Sequence, residues 1–358
     1  MKLLDDIKKI KKLDKVNVLG SIEELGLQCN QAWNDIEQIN IPDNYRKINK
    51  IVFSAMGGSA LGAYVTKSLF LDSLMVPFEI INDYHLPPYI DESTLVILSS
   101  YSGTTEETIS CAKDALEKRA KIIGMTTGGK LAEILKEKKL PSYIFEPKFN
   151  PSNQPRLGMG YSIFGQIALF NKLGLIKINK NEKELLEKAI NKGNKLYGIE
   201  SVYSDNLAKK LAIKWTNKIP IIITAEFLTN VGRVLRNQIN ENSKSYAAFH
   251  EIPELNHHLM EGLKYPENNK KTLTILLLES QFYSQKIKTR LKITEEVIKK
   301  NGISSDNIFL TSNSKISQVF EAIQLGSYIN FYLAVSYNID PSKIPWVDYF
   351  KDQLKKIS

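Results

Sequence analysis

The sequence predicts an α/β protein with two doubly wound, parallel-sheet domains in tandem. Its 358 residues suit two domains of roughly 100–200 residues each. Short, continuous apolar runs alternate with amphipathic stretches, which is typical of parallel strands that are buried on both faces and separated by helices. The alternation is interrupted by a polar, charged stretch at 177–195 and then resumes. Two such series in succession indicate two domains, each with its own sheet.

The first series runs through residues 50–126 and contains four predicted strands. The strands are expected at 50–55, 78–82, 94–99 and 121–126, with helices at 60–71 and 104–120. The second of these helices carries Glu106 and Glu107 in its first turn, where negative charge suits the positive end of the helix dipole.

The second series begins at residue 219. Strands are expected at 219–224, 272–278 and 307–311, and helices at 228–240, 286–300 and 315–335. Residues 181–195 are helix-like and are interpreted as part of a connecting helix rather than a loose linker. No close residue-level repeat relates the two series, so a duplication is expected only at the level of the fold.

Composition limits the classes of function. Hydrophobic residues make up 43% and charged residues 24%, which is ordinary for a globular protein with a core. The longest apolar runs, such as 272–278, are too short to span a bilayer. Residues 1–15 carry charges throughout and lack the apolar segment of a secretory signal, and two cysteines cannot form a disulfide framework. We therefore expect a cytoplasmic protein without a membrane partner.

The formal net charge of +9 has two interpretations. An excess of lysine attracts anionic partners in general. Here the lysines are scattered and often lie beside glutamates, as in residues 179–195, whereas nucleic-acid-binding proteins concentrate basic residues in a stripe. The pattern favours a generally lysine-rich surface, and no nucleic-acid partner is expected.

The first motif is the turn Met56-Gly57-Gly58-Ser59 between a predicted strand and a predicted helix. Glycine allows a tight turn and a close approach of a ligand to the backbone. The N–H groups at the N-terminus of the following helix are free to bind an anion. The motif fits a phosphate-binding loop, and it fits equally a strand–helix turn that needs glycine for its shape.

The second motif, residues 100–107, has the same placement after a strand and before a helix. Four of its residues carry a hydroxyl group: Ser100, Ser102, Thr104 and Thr105. Hydroxyl and backbone N–H groups can surround a phosphate monoester without any lysine or arginine. The alternative is a capping box formed by Thr104 or Thr105 with an acidic residue of the first turn. A cap needs one hydroxyl, so four favour phosphate binding.

Two further charged residues lie in positions that suit catalysis. Arg156 follows the proline-rich loop 150–155 and carries a permanent charge. Glu241 lies just past a predicted helix and before the strand-like run 245–249, at a sheet edge of the kind where α/β proteins bind ligands. The alternative for each is a solvated side chain on the surface, which is the commoner case for a single charged residue.

Three of the four histidines fall within residues 250–258. Histidine is suited to moving protons near neutral pH. His250, Glu254, His257 and His258 also have helix-like spacings that could serve a metal, but the sequence has no HExxH motif and no second cluster of ligands. No metal is therefore expected.

With these motifs, the chain resembles the bifunctional phosphoglucose/phosphomannose isomerases, a family with two sugar isomerase (SIS) domains. The similarity lies in the segments MGGSALG, SYSGTTEET, PRLGMGY and NENSK followed by PELNHH, in this order and over most of the chain. The chain departs from the family pattern at three positions. Ala55 stands where the family often has glycine, and Thr104 and His258 stand where it often has asparagine.

The resemblance implies two SIS-type, flavodoxin-like domains: residues 1–180 with the phosphate-binding loops, and residues 181–358 with the catalytic glutamate and histidine. It implies an aldose–ketose isomerase that interconverts glucose 6-phosphate, and mannose 6-phosphate as well, with fructose 6-phosphate through a cis-enediol. This route requires no metal and no organic cofactor. A homodimer with shared active sites is implied, because in the family the histidine is donated by the partner subunit.

The resemblance also implies roles for individual residues. The substrate phosphate would be held by Gly58, Ser59, Ser100, Ser102 and Thr105. Glu241 would be the base, and Arg156 would stabilise the negative enediolate. His257, with His258 as its alternative, would open the sugar ring. Lys351 would reach the region of the ring oxygen from a short final helix.

Two alternative functions stay open at this point. A non-catalytic regulator that binds phosphosugars would keep the serines of the two loops but has no need for Glu241, Arg156 and His257 together. The other alternative is an isomerase or aldolase-like lyase that acts on a different sugar phosphate, because the loops indicate a phosphate and not the rest of the sugar.

Overall fold

The computed structural model describes residues 2–357 and contains two β-sheets covered by helices. One sheet has five strands and the other has four, and all neighbouring strands are parallel. The prediction of two parallel-sheet α/β domains in tandem is confirmed. Within residues 2–357, none of the helices combines the length and the apolar character that a membrane crossing requires.

The strands of the first sheet are β1 (Lys50–Ala55), β2 (Phe78–Ile81), β3 (Thr94–Ser100), β4 (Lys121–Thr126) and β5 (Ser142–Ile144). Their order is β2-β1-β3-β4-β5, which is the order of flavodoxin-like folds. All seven residues of β3 are buried, which explains its continuous apolar run. β5 had not been expected, because its three residues are too few to form a recognisable pattern.

The strands of the second sheet are β6 (Ile219–Ala225), β7 (Ala248–Ile252), β8 (Leu273–Ser280) and β9 (Ser304–Leu310). Their order is β7-β6-β8-β9, which repeats the order of the first four strands of the first sheet. The two halves therefore share a strand order, although no close sequence repeat relates them. β9 begins at Ser304, before the predicted start at residue 307. Its first residues, Ser304 to Asn307, are polar because they lie in an edge strand, so no continuous apolar run marked this start in the sequence.

Helices flank both sheets. They are α1 (Ile7–Leu13), α2 (Val18–Glu23), α3 (Leu25–Glu37), α4 (Gly57–Leu69), α5 (Glu106–Glu117), α6 (Gly129–Glu137), α7 (Gly165–Lys172), α8 (Lys180–Tyr197), α9 (Leu207–Trp215), α10 (Thr229–Ser243), α11 (Leu259–Gly262), α12 (Asn269–Thr272), α13 (Gln285–Lys300), α14 (Lys315–Ser336) and α15 (Pro345–Ile357). Short 3₁₀ helices lie at Lys2–Asp5, Asp43–Arg46, Pro155–Leu157, Glu226–Leu228 and Glu254–His257, and a π-helical turn at Gly160–Phe164. The expected helices of both series are present as α4, α5, α10, α13 and α14, whereas the three N-terminal helices had no predicted counterpart.

α14 is the central helix of the molecule. Every residue from Ile316 to Val335 is buried except Glu321, and α8, α9 and α10 pack around it. The stretch interpreted as a connecting helix is α8, and we propose the domain boundary at its start. One apolar cluster continues through both domains, so their relative position is set by a packed core. This packing determines which residues of the second domain meet the loops of the first.

Candidate active site

The two loops of the first domain lie side by side at the carboxyl edge of its sheet. They follow β1 and β3, which are neighbours in the sheet and form the switch point where ligands bind in folds of this topology. The Tyr101 N–H donates to Ser59 Oγ over 2.9 Å and so joins the loops. Gly57 has a φ of +50°, and a Cβ on Gly58 would lie 3.1 Å from the backbone nitrogen of Arg156. The turn thus needs glycine, and it brings Gly58 against the segment that carries Arg156.

The hydroxyl groups of the second loop bind one another rather than cap the helix. Ser100 Oγ lies 2.8 Å from Thr105 Oγ1, and Ser102 Oγ lies 2.9 Å from Thr104 Oγ1. Thr105 is the N-cap residue of α5, but its side chain makes no capping hydrogen bond. The capping box considered as an alternative is therefore absent at α5. Four hydroxyl groups surround a helix N-terminus whose first N–H groups have no side-chain cap.

A third loop, after β4, braces the hydroxyl loop from behind. Gly103 has a φ of +69°, and a Cβ there would lie 1.7 Å from the carbonyl oxygen of Gly128. The Thr127 hydroxyl donates to the Tyr101 carbonyl over 2.7 Å, and the Leu131 N–H donates to the Gly103 carbonyl over 2.9 Å. This loop was not among the predicted parts of the site. Its signal was available, because Gly128 and Gly129 follow the predicted strand after one intervening residue.

Arg156 is buried between the two domains. Its side chain is 1% exposed, so the interpretation as a surface arginine is wrong. The guanidinium donates to Gln154 Oε1 (2.8 Å), to the carbonyl oxygens of Pro341 (3.2 Å) and Ser342 (2.8 Å), and from Nε to Asn242 Oδ1. Its Nη1 lies 3.4 Å from Glu241 Oε2. Burial lowers the pKa of the guanidinium, and the Glu241 carboxylate is the first of the charges that oppose this shift.

Glu241 lies in the last turn of α10, not past the end of the helix as expected. The helix continues because Asn242 and Ser243 bond to Asn330 of α14, and it ends only at Lys244, which has a φ of +52°. Its position relative to the sheet also differs from the expectation. α10 connects parallel strands β6 and β7, so its last turn lies at the amino edge of the second sheet. Glu241 nevertheless approaches the first domain, because it pairs with Arg156, whose backbone lies against Gly58.

The environment of Glu241 suits a base. Its side chain is 29% exposed. Burial raises the pKa of the carboxyl group, and the positive charges of Arg156 and Lys351 oppose that rise. Lys351 is an exposed residue of α15, and its positive charge acts on the Glu241 carboxylate from that helix. The structure therefore pairs Arg156 with Glu241, and the charge of Lys351 acts on the same carboxylate.

Lys244 is a neighbour of the site that the sequence analysis missed. Its ammonium group donates to the carbonyl oxygens of Asn242 (3.1 Å) and Asp340 (2.7 Å). Burial, followed by the charge of Arg156, lowers the pKa of Lys244 to about 8. The available signal was its position three residues after Glu241 in the segment NENSK.

His257 does not join this cluster within one chain. It is exposed, and it ends the 3₁₀ helix that follows the carboxyl end of β7. Glu241 lies before the amino end of the same strand. The five residues of β7 span roughly 16 Å, so at least that length of strand separates the two positions along the chain. His258 is also exposed, and its ring centroid lies 6.3 Å from that of His250.

No cluster of three or more His, Cys, Asp or Glu residues is arranged to hold a metal in the part of the chain that the structure describes. Two cavities of about 740 Å³ and 760 Å³ lie along α13, the second bordered also by α4 and the end of β7. None of the expected site residues lines either cavity. The candidate site is instead assembled from the two loops after β1 and β3, the buried Arg156 that lies against Gly58, and its partner Glu241.

The comparisons with known proteins agree with this fold. The family model of the SIS domain matches residues 44–140, and that of the bacterial phospho-glucose isomerase C-terminal SIS domain matches residues 204–354. The solved structure of a hypothetical protein from Thermus thermophilus superposes with a TM-score of 0.74, covering 99% of this chain and 94% of that one. At 15% identity this similarity concerns the fold alone.

Two curated relatives are similar over nearly their whole length. The bifunctional phosphoglucose/phosphomannose isomerase of Caldicellulosiruptor bescii is 36% identical over 339 residues, which are 94% of this chain and 98% of that protein. The protein of the same name from Aquifex aeolicus is 31% identical over 346 residues, 94% of this chain and 99% of that protein. The resemblance noted in the sequence motifs is confirmed: the chain belongs to the family of bifunctional phosphoglucose/phosphomannose isomerases.

Proposed function

We propose that this protein is an aldose–ketose isomerase that interconverts glucose 6-phosphate and mannose 6-phosphate with fructose 6-phosphate. Membership of the family supports the activity, and both relatives described above carry it in their names. The observation that carries the proposal is the contact of Arg156 with Glu241 at 3.4 Å, with the Arg156 backbone packed against Gly58 of the first loop. A regulator that only binds a phosphosugar needs the loops but not a partly buried carboxylate paired with an arginine.

In the proposed mechanism the hydroxyl loops hold the phosphate. The side chains of Ser59, Ser100, Ser102 and Thr105, with the backbone at Gly58, surround the N-termini of α4 and α5. Phosphate oxygens accept hydrogen bonds from hydroxyl and N–H donors, and the positive ends of both helix dipoles face them. The phosphate thereby anchors the sugar with its reactive carbons toward Arg156 and Glu241.

Proton transfer between C1 and C2 is assigned to Glu241. After ring opening, the carboxylate removes the proton from C2 of the aldose, which leaves a cis-enediolate. The protonated Glu241 returns that proton to C1, while the O2 proton moves to O1, and fructose 6-phosphate results. Arg156 stabilises the negative enediolate chiefly through its charge, since its donors already point at protein oxygens. Lys351, whose charge acts on Glu241, is assigned to the ring-oxygen region.

Ring opening is assigned to His257 of a second copy of the chain, with His258 as the alternative. The support is the separation of His257 and Glu241 at opposite ends of β7. A further support is α15, the helix of Lys351, which presents a largely exposed apolar surface: Trp346 is 80% and Phe350 is 61% exposed. An apolar surface of this kind is commonly covered by a partner. We therefore propose a cytoplasmic homodimer with shared active sites.

A coupled assay in the presence of EDTA tests the proposed function. The purified protein should form glucose 6-phosphate from fructose 6-phosphate, and fructose 6-phosphate from mannose 6-phosphate, with rates that EDTA does not change. Turnover of one aldose alone would restrict the proposal to that substrate. Turnover of neither, together with phosphosugar binding measured by calorimetry, would replace it with the regulator or with a different sugar phosphate.

Ser102→Ala should raise KM roughly 10-fold or more, while kcat stays within about 3-fold of the wild type. A hydrogen bond to a charged phosphate contributes about 1.5–3 kcal/mol of binding free energy, and it does so equally in the ground state and in the transition state. Ser102 is exposed and bonds only within its loop, so the change should leave thermal stability intact. Steady-state kinetics on all three sugar phosphates would measure the effect. Ser110→Ala, on α5 outside the loop, is the matched control, and an equal KM for both variants would remove Ser102 from the phosphate site.

A further inference from the structure

We infer that Asn330, acting through Asn242 and Gln238, is a positioning residue that holds the Arg156 guanidinium in place beside Glu241. The inference rests on the proposed function, because it concerns how the proposed enediolate-stabilising charge is fixed. The three amide side chains are 0% exposed and Arg156 is 1% exposed, so water does not compete for their hydrogen bonds. None of the three has an expected role in substrate binding.

The four residues form a closed ring of hydrogen bonds. Arg156 Nε donates to Asn242 Oδ1, and Asn242 Nδ2 donates to Asn330 Oδ1 over 2.7 Å. Asn330 Nδ2 donates to Gln238 Oε1 over 3.2 Å, and Gln238 Nε2 donates to the Arg156 carbonyl over 3.2 Å. The ring therefore begins at the side chain of Arg156 and returns to the backbone of the same residue.

The donor and acceptor chemistry permits one orientation of each amide. Arg156 can only donate, so Asn242 must present its oxygen to it. The nitrogen of Asn242 then needs an acceptor, which sets the oxygen of Asn330 toward it and the nitrogen of Asn330 toward Gln238. If any one amide were rotated by 180°, its nitrogen would face another donor at one contact and its oxygen would face another acceptor at the other, so both hydrogen bonds would be lost. The ring thus holds the guanidinium in a single position rather than several.

Asn330 is the one amide of the ring that does not bond to Arg156 directly, and burying it there is energetically costly. It lies between Ile329 and Phe331 in the buried stretch of α14. A buried amide destabilises a fold unless it is hydrogen-bonded. Here its oxygen accepts one bond and its nitrogen donates two, the second to the Gly326 carbonyl at 2.7 Å. The Ser243 hydroxyl also donates to the Asn330 carbonyl over 2.8 Å, which ties the last turn of α10, and with it Glu241, to the same point.

The test compares Asn330→Leu with Gln324→Met. Gln324 lies on the same helix, is equally buried, and donates to the Ile22 carbonyl over 3.0 Å and to Asn194, outside the ring. Both variants should lose thermal stability. Only Asn330→Leu should lose kcat, on the order of 10²-fold as expected for a displaced catalytic group, with KM within about 3-fold. Equal kcat values in the two variants would show that the ring has a structural role only.

A double mutant separates positioning from a general loss of order. In an Arg156→Lys background, which has no guanidinium to hold, Asn330→Leu should reduce kcat less than about 3-fold further. A full additional loss would overturn the inference. If Asn330→Leu does not fold, Asn330→Ser, which is small enough to leave room for a water, provides the same comparison.

An Arg156→Ala enzyme, which lacks the positive charge, distinguishes this inference from the proposed function. Unchanged kcat in Arg156→Ala would contradict the role given to Arg156 in the mechanism. Reduced kcat in Arg156→Ala with unchanged kcat in Asn330→Leu would leave the proposed function standing and reject only the positioning role of the ring.

Discussion

Glu241→Gln is expected to lower kcat for fructose 6-phosphate by roughly 10²–10⁴-fold, which is the usual contribution of a positioned general base. The amide cannot accept the proton from carbon, yet it has nearly the shape of the carboxyl group and can still accept from Arg156. Binding of the sugar phosphate should therefore persist, and calorimetry should give a Kd within about 3-fold of the wild type. Steady-state kinetics and calorimetry on the same preparation would measure both effects.

The control for this variant is Glu296→Gln, an exposed residue of α13 away from the site, which should keep wild-type kinetics. The pH dependence supplies a second check. The base works as a carboxylate, so kcat falls as the pH drops through its pKa, and burial places that pKa above the usual value of 4.5. Wild-type turnover by a folded Glu241→Gln enzyme would show that another group is the base. The same would follow if the wild-type kcat fell only at a pH at or below the pKa of an exposed glutamate.

A mixture of Glu241→Gln and His257→Ala subunits is expected to recover about a quarter of the wild-type activity, although each variant alone is nearly inactive. If one chain provides Glu241 and its partner provides His257, a mixed dimer contains one site with both native residues and one site with neither. Random assembly makes about half of the dimers mixed, and half of their sites are competent. Co-expression with two affinity tags, followed by purification on both, would isolate the mixed dimer for assay.

The matched control pairs Glu241→Gln with Arg156→Ala. These side chains lie 3.4 Å apart in one chain, so no mixed dimer can combine a native copy of both at one site, and the mixture should stay inactive. If the Glu241→Gln and His257→Ala mixture were no more active than its parents, both residues would act in the same subunit or His257 would have no role. His258→Ala in place of His257→Ala would then decide between the two histidines.

The two loops of the site were predictable because their signals are local. Gly57 and Gly58 follow an apolar run directly, and the hydroxyl residues from Ser100 to Thr105 follow another. The strand order that makes the two loops neighbours follows the general rule for parallel sheets with this pattern. By contrast, the last turn of α10 could not be located from the sequence, because Asn242 and Ser243 extend the helix through bonds to α14 that no local pattern indicates.

The sequence by itself determined the two strand–helix series and the loops that follow β1 and β3, since each strand, helix or loop in them is indicated by no more than about twenty consecutive residues. The tertiary structure decided the burial of Arg156, its contact with Glu241 and the distance of His257 from both. These features depend on docking one domain against the other: Arg156 meets Gln238 across 82 positions and Ser342 across 186 positions of the chain. Contacts at such separations arise from the packing of α10 and α14 against the first domain, and periodicity along the chain carries no information about them.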